Sequence, residues 1–140
     1  MIAVVSDEIG RVSVAHTSDD STNGGRTLMK MVTCVVRPEK LEAITDTLDK
    51  MNVVGMTVTD VRGFGRQKGQ VEHYRGGEYK IRFINKIKLD IVVPDEEVKK
   101  VMDAVGKVAR TSNVGDGKIF VTNVENAMRI RTGEVGTSAL

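Results

Sequence analysis

A regular alternation of apolar and polar residues over positions 79–93 is the feature that most restricts the fold of this chain. Every odd position there is apolar or aromatic except Asn85, and the even positions include lysines, an arginine and an aspartate. Successive side chains of a β-strand point to opposite faces of its sheet, so this period of two predicts a long strand. One face of that strand belongs to a core, and the other is charged.

The other patterned segments give the order strand, helix, strand twice. In the first half, a strand over residues 30–36 precedes a helix that Pro38 opens and a strand over residues 56–64. In the second half, the long strand precedes a helix that Pro94 opens and a strand over residues 118–124.

Two units of this kind predict an α+β fold of the ferredoxin-like type, βαββαβ, with a four-stranded antiparallel sheet and two helices on one face. The pattern supplies no helix for the other face of the sheet. We therefore expect other copies of the same sheet to cover it, in a closed homo-oligomer.

The polar segment before residue 29 differs in composition from the patterned sequence after it. We predict an N-terminal extension over residues 1–28, with the polar composition typical of flexible segments, and one domain over residues 29–140. In the extension, residues 2–5 and 12–15 could pair as a short hairpin. Residues 65–77 are rich in glycine and charge without an apolar period, which predicts a long exposed loop.

Charge and cysteine content restrict the partners and the compartment. The formal net charge is only +2, from 21 basic and 19 acidic residues, so electrostatics gives no argument for nucleic acid or an anionic membrane. Cys34, the single cysteine, lies in an apolar run and is predicted to be a buried strand residue in a reducing compartment. No apolar stretch approaches the roughly 20 residues of a membrane span, and we expect a cytoplasmic protein without membrane insertion.

The sequence Gly115-Asp116-Gly117-Lys118 stands at the entrance to the last predicted strand. Glycines allow the backbone to turn several N–H groups towards an anion, and a lysine adds positive charge, so the segment suits a polyphosphate. An ordinary turn into a strand has the same composition, and this alternative stays open.

Arg129 and Arg131 alternate near the end of the chain. An extended backbone would point both guanidinium groups the same way, as a phosphate clamp requires, although a solvated basic edge has the same pattern. Together with Arg66, Lys86 and Lys118 they are cations on separate segments, which only a folded and shared site could bring together.

An alternative function is a ferredoxin-like RNA-binding module. Arg62-Gly63-Phe64-Gly65 match the first four positions of the RNA-recognition motif. The next four positions lack the aromatic residues that stack on bases, and only 4% of the chain is aromatic. RNA binding therefore ranks second.

Four ordered segments resemble the PII family of nitrogen-regulatory signal proteins, and the resemblance extends over residues 29–140. The first is Gly55-Met56-Thr57-Val58-Thr59-Asp60-Val61-Arg62-Gly63-Phe64-Gly65-Arg66-Gln67-Lys68-Gly69, and the second is Tyr74-Arg75-Gly76-Gly77-Glu78-Tyr79. The third is Arg110-Thr111 leading to Gly115-Asp116-Gly117-Lys118-Ile119-Phe120-Val121, and the fourth is Arg129-Ile130-Arg131-Thr132-Gly133-Glu134.

The resemblance implies a homotrimeric switch, not an enzyme, that binds ATP or ADP in clefts between subunits. It implies that Arg129 and Arg131 reach the phosphates from the neighbouring chain. The nucleotide site that it implies further includes Thr57, Gly65, Arg66, Val92, Gly115, Asp116, Gly117 and Lys118.

The resemblance also implies that 2-oxoglutarate binds beside Mg-ATP. Phosphates, the ligand and Gln67 would hold the Mg²⁺, and Lys68 and Gly69 would line the ligand. Lys86 would pair with the distal carboxylate, whereas without the resemblance it would read as an ordinary exposed strand lysine.

A loop over about residues 65–79 would dock on targets such as an ammonium transporter, a nitrogen-metabolism enzyme or a regulator. Arg75 matches the loop arginine that plugs an ammonium channel in some members, and Tyr79 matches a tyrosine that a nucleotidyltransferase modifies in others. Two departures stand out: Asp90 replaces the more usual glutamate, and Gly77 replaces the usual alanine or serine.

Overall fold

The structure is a computed structural model. It describes residues 28–65 and 83–140 in full. It also describes the backbone of residues 3–6, 12–15, 22–23, 26–27, 70–74 and 77–81.

Two short hairpins precede the main domain. Strands β1 (Ala3–Ser6) and β2 (Val12–Ala15) pair antiparallel, in the place where the sequence predicted a hairpin. Strands β3 (Thr22–Asn23) and β4 (Arg26–Thr27) form the second pair. The described part of the extension therefore contains strands of its own, which pair with each other and not with the strands of the main sheet.

The domain has the predicted order of elements. It comprises β5 (Met29–Val36), a 3₁₀ turn (Pro38–Lys40), α1 (Leu41–Lys50), β6 (Thr57–Gly63), β7 (Gln70–Tyr74), β8 (Gly77–Ile81), β9 (Ile84–Pro94), a 3₁₀ turn (Asp95–Glu97), α2 (Val98–Ala109), β10 (Gly117–Val124) and a 3₁₀ turn (Gly136–Ala139).

Four of these strands form one antiparallel sheet in the order β10-β5-β9-β6. Alternate residues of β5 and β9 face the two helices, and Cys34 lies opposite Leu89 in the middle of this apolar layer. Because β5, β9, α1 and α2 share a single buried cluster, both helices pack on the same face of the sheet. The predicted ferredoxin-like α+β fold is confirmed.

The helices present apolar residues one turn apart to this core. In α1, Ile44 and Leu48 are buried, and in α2 the buried residues are Val101, Val105 and Ala109. The spacing of four residues places each set on one side of its helix. Within the described part of the chain, neither helix is long and apolar enough to cross a membrane.

The strand predicted over residues 79–93 is in fact two strands, since β8 ends at Ile81 and β9 begins at Ile84. The prediction of one strand was wrong because alternation in sequence does not show where a neighbouring strand ends. Strand β6 ends at Gly63, opposite Ile84, and among the described strands β8 has no partner in the main sheet. Strand β7 supplies that partner instead, and the segment predicted as a loop therefore includes a β7–β8 hairpin.

The sheet face away from the helices carries polar and aromatic side chains. Thr33 lies opposite both Asp90 and Phe120 across neighbouring strands, so these three residues share that face. The side chain of Phe120 is 51% exposed. A half-exposed aromatic ring in the middle of a strand leaves apolar surface that the described residues do not cover.

Candidate ligand-binding site

The loop that leads into β10, residues 111–116, has a backbone shape that depends on glycine. Gly115 and Gly117 have φ angles of 102° and 101°, in the region that residues with a Cβ rarely adopt. A Cβ atom on Gly117 would also lie 1.7 Å from the carbonyl oxygen of Val35. Glycine at position 117 is thus required by both conformation and space, because the chain passes directly against β5.

The carboxylate of Asp116 is turned towards its own loop. It accepts hydrogen bonds from the backbone N–H of Thr111 at 2.7 Å, the N–H of Ser112 at 2.9 Å and the hydroxyl of Thr111. It also accepts one from Nε of Arg37 at 3.2 Å. The Thr111 hydroxyl makes the largest contribution to lowering the pKa of Asp116, with the backbone N–H groups and Arg37 adding to it.

Arg37 was not among the residues predicted for the site. It lies between β5 and the Pro38 turn, and its Nη2 donates a hydrogen bond to the carbonyl of Val114 at 2.7 Å. A cation directly after a buried strand is the only signal in the sequence. That signal cannot show a contact with a loop 77 residues further along the chain.

Lys86 of β9 is the buried charged side chain of the described residues, at 9% exposure. Its Nζ donates a hydrogen bond to the carbonyl of Gly115 at 2.5 Å. Burial is the main cause that lowers the pKa of Lys86, and the charge of Arg37 lowers it further. The alternative interpretation of Lys86 as an ordinary exposed strand lysine is therefore wrong.

A groove of about 380 Å³ opens beside Lys86. Its lining combines polar and apolar side chains, namely Pro38, Asp60, Val61, Arg62, Asn85, Lys86 and Ile87. A small anion that entered this groove would contact Lys86, whose amine is hydrogen-bonded to Gly115 of the loop that precedes β10.

Other predicted residues lie along the open face of the sheet. Thr57 in β6 is exposed and lies opposite Asp90, and Val92, two residues further along β9, is half-buried on the same face. Lys118 is exposed at the start of β10, opposite Val35. Gly65 is exposed as well.

Asp90, which was left out of the predicted site, is held within the sheet. Its carboxylate accepts a hydrogen bond from the hydroxyl of Thr33 at 2.6 Å and pairs with Lys88 at 3.1 Å. The Thr33 hydroxyl is the first cause of the lowered pKa of Asp90, and Lys88 contributes to it. The carboxylate of Asp90 therefore already has a hydrogen-bond partner and an ion-pair partner within the sheet.

The extended backbone expected around Arg129 and Arg131 was wrong. The carbonyl of Arg129 accepts hydrogen bonds from the N–H groups of Thr132 at 3.3 Å and Gly133 at 2.8 Å, which closes a turn. Gly133 makes the turn possible with a φ of 75°. In this turn the two arginines do not follow the alternation of a strand.

The Arg129 guanidinium is engaged within its own chain. It pairs with the carboxylate of Glu134 and donates a hydrogen bond at 2.8 Å to the main-chain oxygen of Leu140. Arg131 is exposed in the turn. The structure of one chain thus brings Lys86 to the 115–118 segment, but gives Arg129 different partners.

Several predicted residues lie outside the described residues, namely Arg66, Gln67, Lys68, Gly69 and Arg75. The backbone of Tyr79 lies in β8, opposite Glu72. Over the described residues, no group of three or more histidine, cysteine, aspartate or glutamate side chains could hold a metal ion.

Comparison with known proteins identifies the family. The pattern of the family described as nitrogen regulatory protein P-II matches residues 29–134. Over 112 residues, which are 80% of this chain and 100% of each relative, the chain is 52% identical to the nitrogen regulatory protein P-II of Nostoc punctiforme. It is 47% identical to the nitrogen regulatory protein GlnK of Escherichia coli K12 over the same length.

A solved structure agrees with these relatives. The fold is similar to that of Arabidopsis thaliana PII bound to citrate, with a TM-score of 0.67 and 35% sequence identity. The similarity covers 81% of this chain and 91% of that chain. The chain therefore belongs to the nitrogen regulatory protein P-II family, whose members are regulatory signal proteins and not enzymes.

Proposed function

We propose that this protein reports nitrogen, carbon and energy status by binding ATP or ADP in competition, and 2-oxoglutarate together with Mg-ATP. The observation that carries the proposal is the hydrogen bond from Lys86 to the carbonyl of Gly115. This bond joins the one buried cation of the described residues to the 115–118 segment, which is the segment best suited to bind phosphate.

The 115–118 segment suits the phosphates of a nucleotide. Gly115 and Gly117 give the backbone a shape that other residues rarely adopt, and Lys118 is exposed beside them. Consecutive backbone N–H groups in such a turn bind a phosphate whatever base the nucleotide carries. Thr57 and Val92, on the open face of the sheet, are proposed to line the adenine.

The groove beside Lys86 suits a small carboxylate. A nearly buried amine is poorly hydrated, so an anion that reaches it gains a strong charge-assisted hydrogen bond. The related protein from Arabidopsis thaliana was solved bound to citrate, which is also a carboxylate. Gln67, Lys68 and Gly69 are proposed to complete the site, with Gln67 as the protein's contribution to Mg²⁺.

A trimer is proposed to complete the nucleotide site. The half-exposed ring of Phe120 leaves apolar surface on the open sheet face, which other copies of the sheet would cover. Arg129 and Arg131 are then proposed to reach the phosphates of the neighbouring subunit. To do so, the Arg129 guanidinium would exchange its contacts with Glu134 and Leu140 for contacts with the phosphates.

The segment over about residues 65–79, with Gly65, Arg66 and Arg75, is proposed to contact cytoplasmic target proteins. The targets belong to the class of ammonium transporters and of enzymes or regulators of nitrogen metabolism, and Tyr79 is the proposed position for modification by a nucleotidyltransferase. Binding of different effectors would favour different conformations of this segment, which is how a binding protein transmits a signal.

Light scattering combined with competition between ATP and ADP tests this function. We expect a trimer, with ADP displacing ATP from every site. A monomer that binds RNA with a steep salt dependence and binds no ATP would instead support the RNA-binding alternative.

A further inference from the structure

The segment 114–116 is held by two cations that come from other parts of the sheet. Arg37 donates to the carbonyl of Val114 at 2.7 Å and to the carboxylate of Asp116 at 3.2 Å. Lys86 donates to the carbonyl of Gly115, which lies between them. Three consecutive residues of the loop are therefore fixed from outside the loop.

Asp116 is badly suited to contact a phosphate directly. A carboxylate only accepts hydrogen bonds, and it repels another anion. Here its oxygens already accept from the N–H and hydroxyl of Thr111, from the N–H of Ser112 and from Arg37. These contacts tie the beginning of the loop, residues 111–112, to its end.

On this basis we propose that Arg37 and Asp116 form a clamp that fixes the shape of the phosphate-binding loop, and that both act as positioning residues. The inference rests on the proposed function and goes beyond it by assigning Arg37, and by giving Asp116 a role other than phosphate contact. A planar guanidinium reaches two acceptors in fixed directions, which the point charge of a lysine does not reproduce.

Preorganisation explains why the clamp affects affinity. A loop that is already in its binding conformation does not lose conformational freedom when the nucleotide binds. Without the clamp, residues 111–116 must be ordered at the expense of binding free energy. The loss applies to ATP and ADP alike, because the clamp holds the loop and not one particular phosphate.

Calorimetric titration of ATP and ADP against four variants tests the clamp. Arg37→Lys, Arg37→Gln and Asp116→Asn should each weaken both nucleotides by roughly 5- to 30-fold, the effect of losing one or two ordinary contacts. The double variant Arg37→Gln/Asp116→Asn should be no weaker than the weaker single variant, because both changes open the same clamp. Lys40→Gln, which removes the same charge three residues further on, is the matched control and should leave both affinities unchanged.

Asp116→Asn separates the clamp from simple charge attraction. Removing a negative charge near the phosphates should strengthen nucleotide binding if only charge matters, whereas the clamp predicts weaker binding. Stronger binding by Asp116→Asn, or full affinity in Arg37→Lys, would overturn the proposal.

Hydrogen exchange gives a readout that does not depend on nucleotide. The Thr111 and Ser112 amides should exchange faster in Arg37→Gln and Asp116→Asn than in the parent, while amides of β5 and β9 should exchange as in the parent. Unchanged exchange at residues 111 and 112 would overturn the clamp, and so would equal acceleration throughout the sheet. If the parent bound no nucleotide, the proposed function would fail, and the exchange rates would still decide whether the clamp exists.

Discussion

The amine of Lys86 donates a hydrogen bond to the carbonyl oxygen of Gly115 across 2.5 Å, although 29 residues separate them in the chain. Lys86 also lines a groove that is proposed to hold a small carboxylate, and the carbonyl of Gly115 belongs to the proposed phosphate loop. A ligand that pairs with Lys86 therefore acts on a group that already supports the loop. This shared residue is a physical route by which the two proposed sites can influence one another.

Replacing Lys86 with glutamine should weaken 2-oxoglutarate much more than ATP. Hydrogen bonds to a charged group contribute about 1.5–3 kcal/mol, which corresponds to a loss of roughly 10- to 100-fold in affinity. Calorimetry with Mg-ATP present measures the effect. Lys88→Gln, two residues along the same face of β9, is the control, and an equal loss in both variants would contradict a specific role for Lys86.

The affinity for 2-oxoglutarate should fall with rising pH earlier than an ordinary lysine would allow. Burial and the charge of Arg37 lower the pKa of Lys86, so the amine loses its proton below the usual lysine range. The carboxylate needs the charged amine, so its affinity decreases as the pH rises through that lowered pKa. Titrations between about pH 7 and 10 should show this slope in the parent but not in Lys86→Gln, and parallel slopes would contradict it.

Two glycine-to-alanine substitutions should change stability in opposite directions. Gly117→Ala forces a Cβ into a backbone with a φ of 101° and into the carbonyl of Val35, so we expect a loss of about 2 kcal/mol or more. Gly106 lies within α2, where a Cβ meets no atom within 4 Å, and alanine there should add about 0.5–1 kcal/mol. Urea denaturation at one fixed protein concentration measures both; a stable Gly117→Ala variant would contradict the close approach to β5.

Cys34 should be unreactive in the folded protein. Its side chain is fully buried, and burial, with a smaller contribution from Asp90, raises the pKa of the thiol to about 11. Since the thiolate is the reactive form, a thiol reagent at pH 8 should label the native protein far more slowly than the protein in denaturant. Rapid stoichiometric labelling of the native protein would contradict the burial of this strand.

The helices and strands in which apolar residues recur at a regular spacing were predictable, because those side chains face a single core. Ile44 and Leu48 have the helical spacing in the sequence and are buried in the structure. The break between β8 and β9 was not predictable, since it depends on where β6 ends, and the alternation of β9 does not contain that information.

The backbone shape of the candidate site was predictable where the residue type itself restricts it, as at Gly115 and Gly117. The role of Arg37 was not, because its partners lie in a loop far along the chain. The turn after Arg129 was missed for a related reason. The carbonyl of Arg129 accepts from the N–H of Gly133 and its N–H donates to the carbonyl of Glu134, which determines the backbone there, whereas alternation of side chains alone suggests a strand.

Calorimetry of 2-oxoglutarate with and without Mg-ATP tests the central claim most directly. If one end of the ligand shares the metal with the phosphates and the other meets Lys86, binding requires the nucleotide. We therefore expect a strong signal for 2-oxoglutarate only when Mg-ATP is present, and an equal and reciprocal increase in the affinity for ATP. Equal affinity for 2-oxoglutarate in the absence of nucleotide would contradict the account.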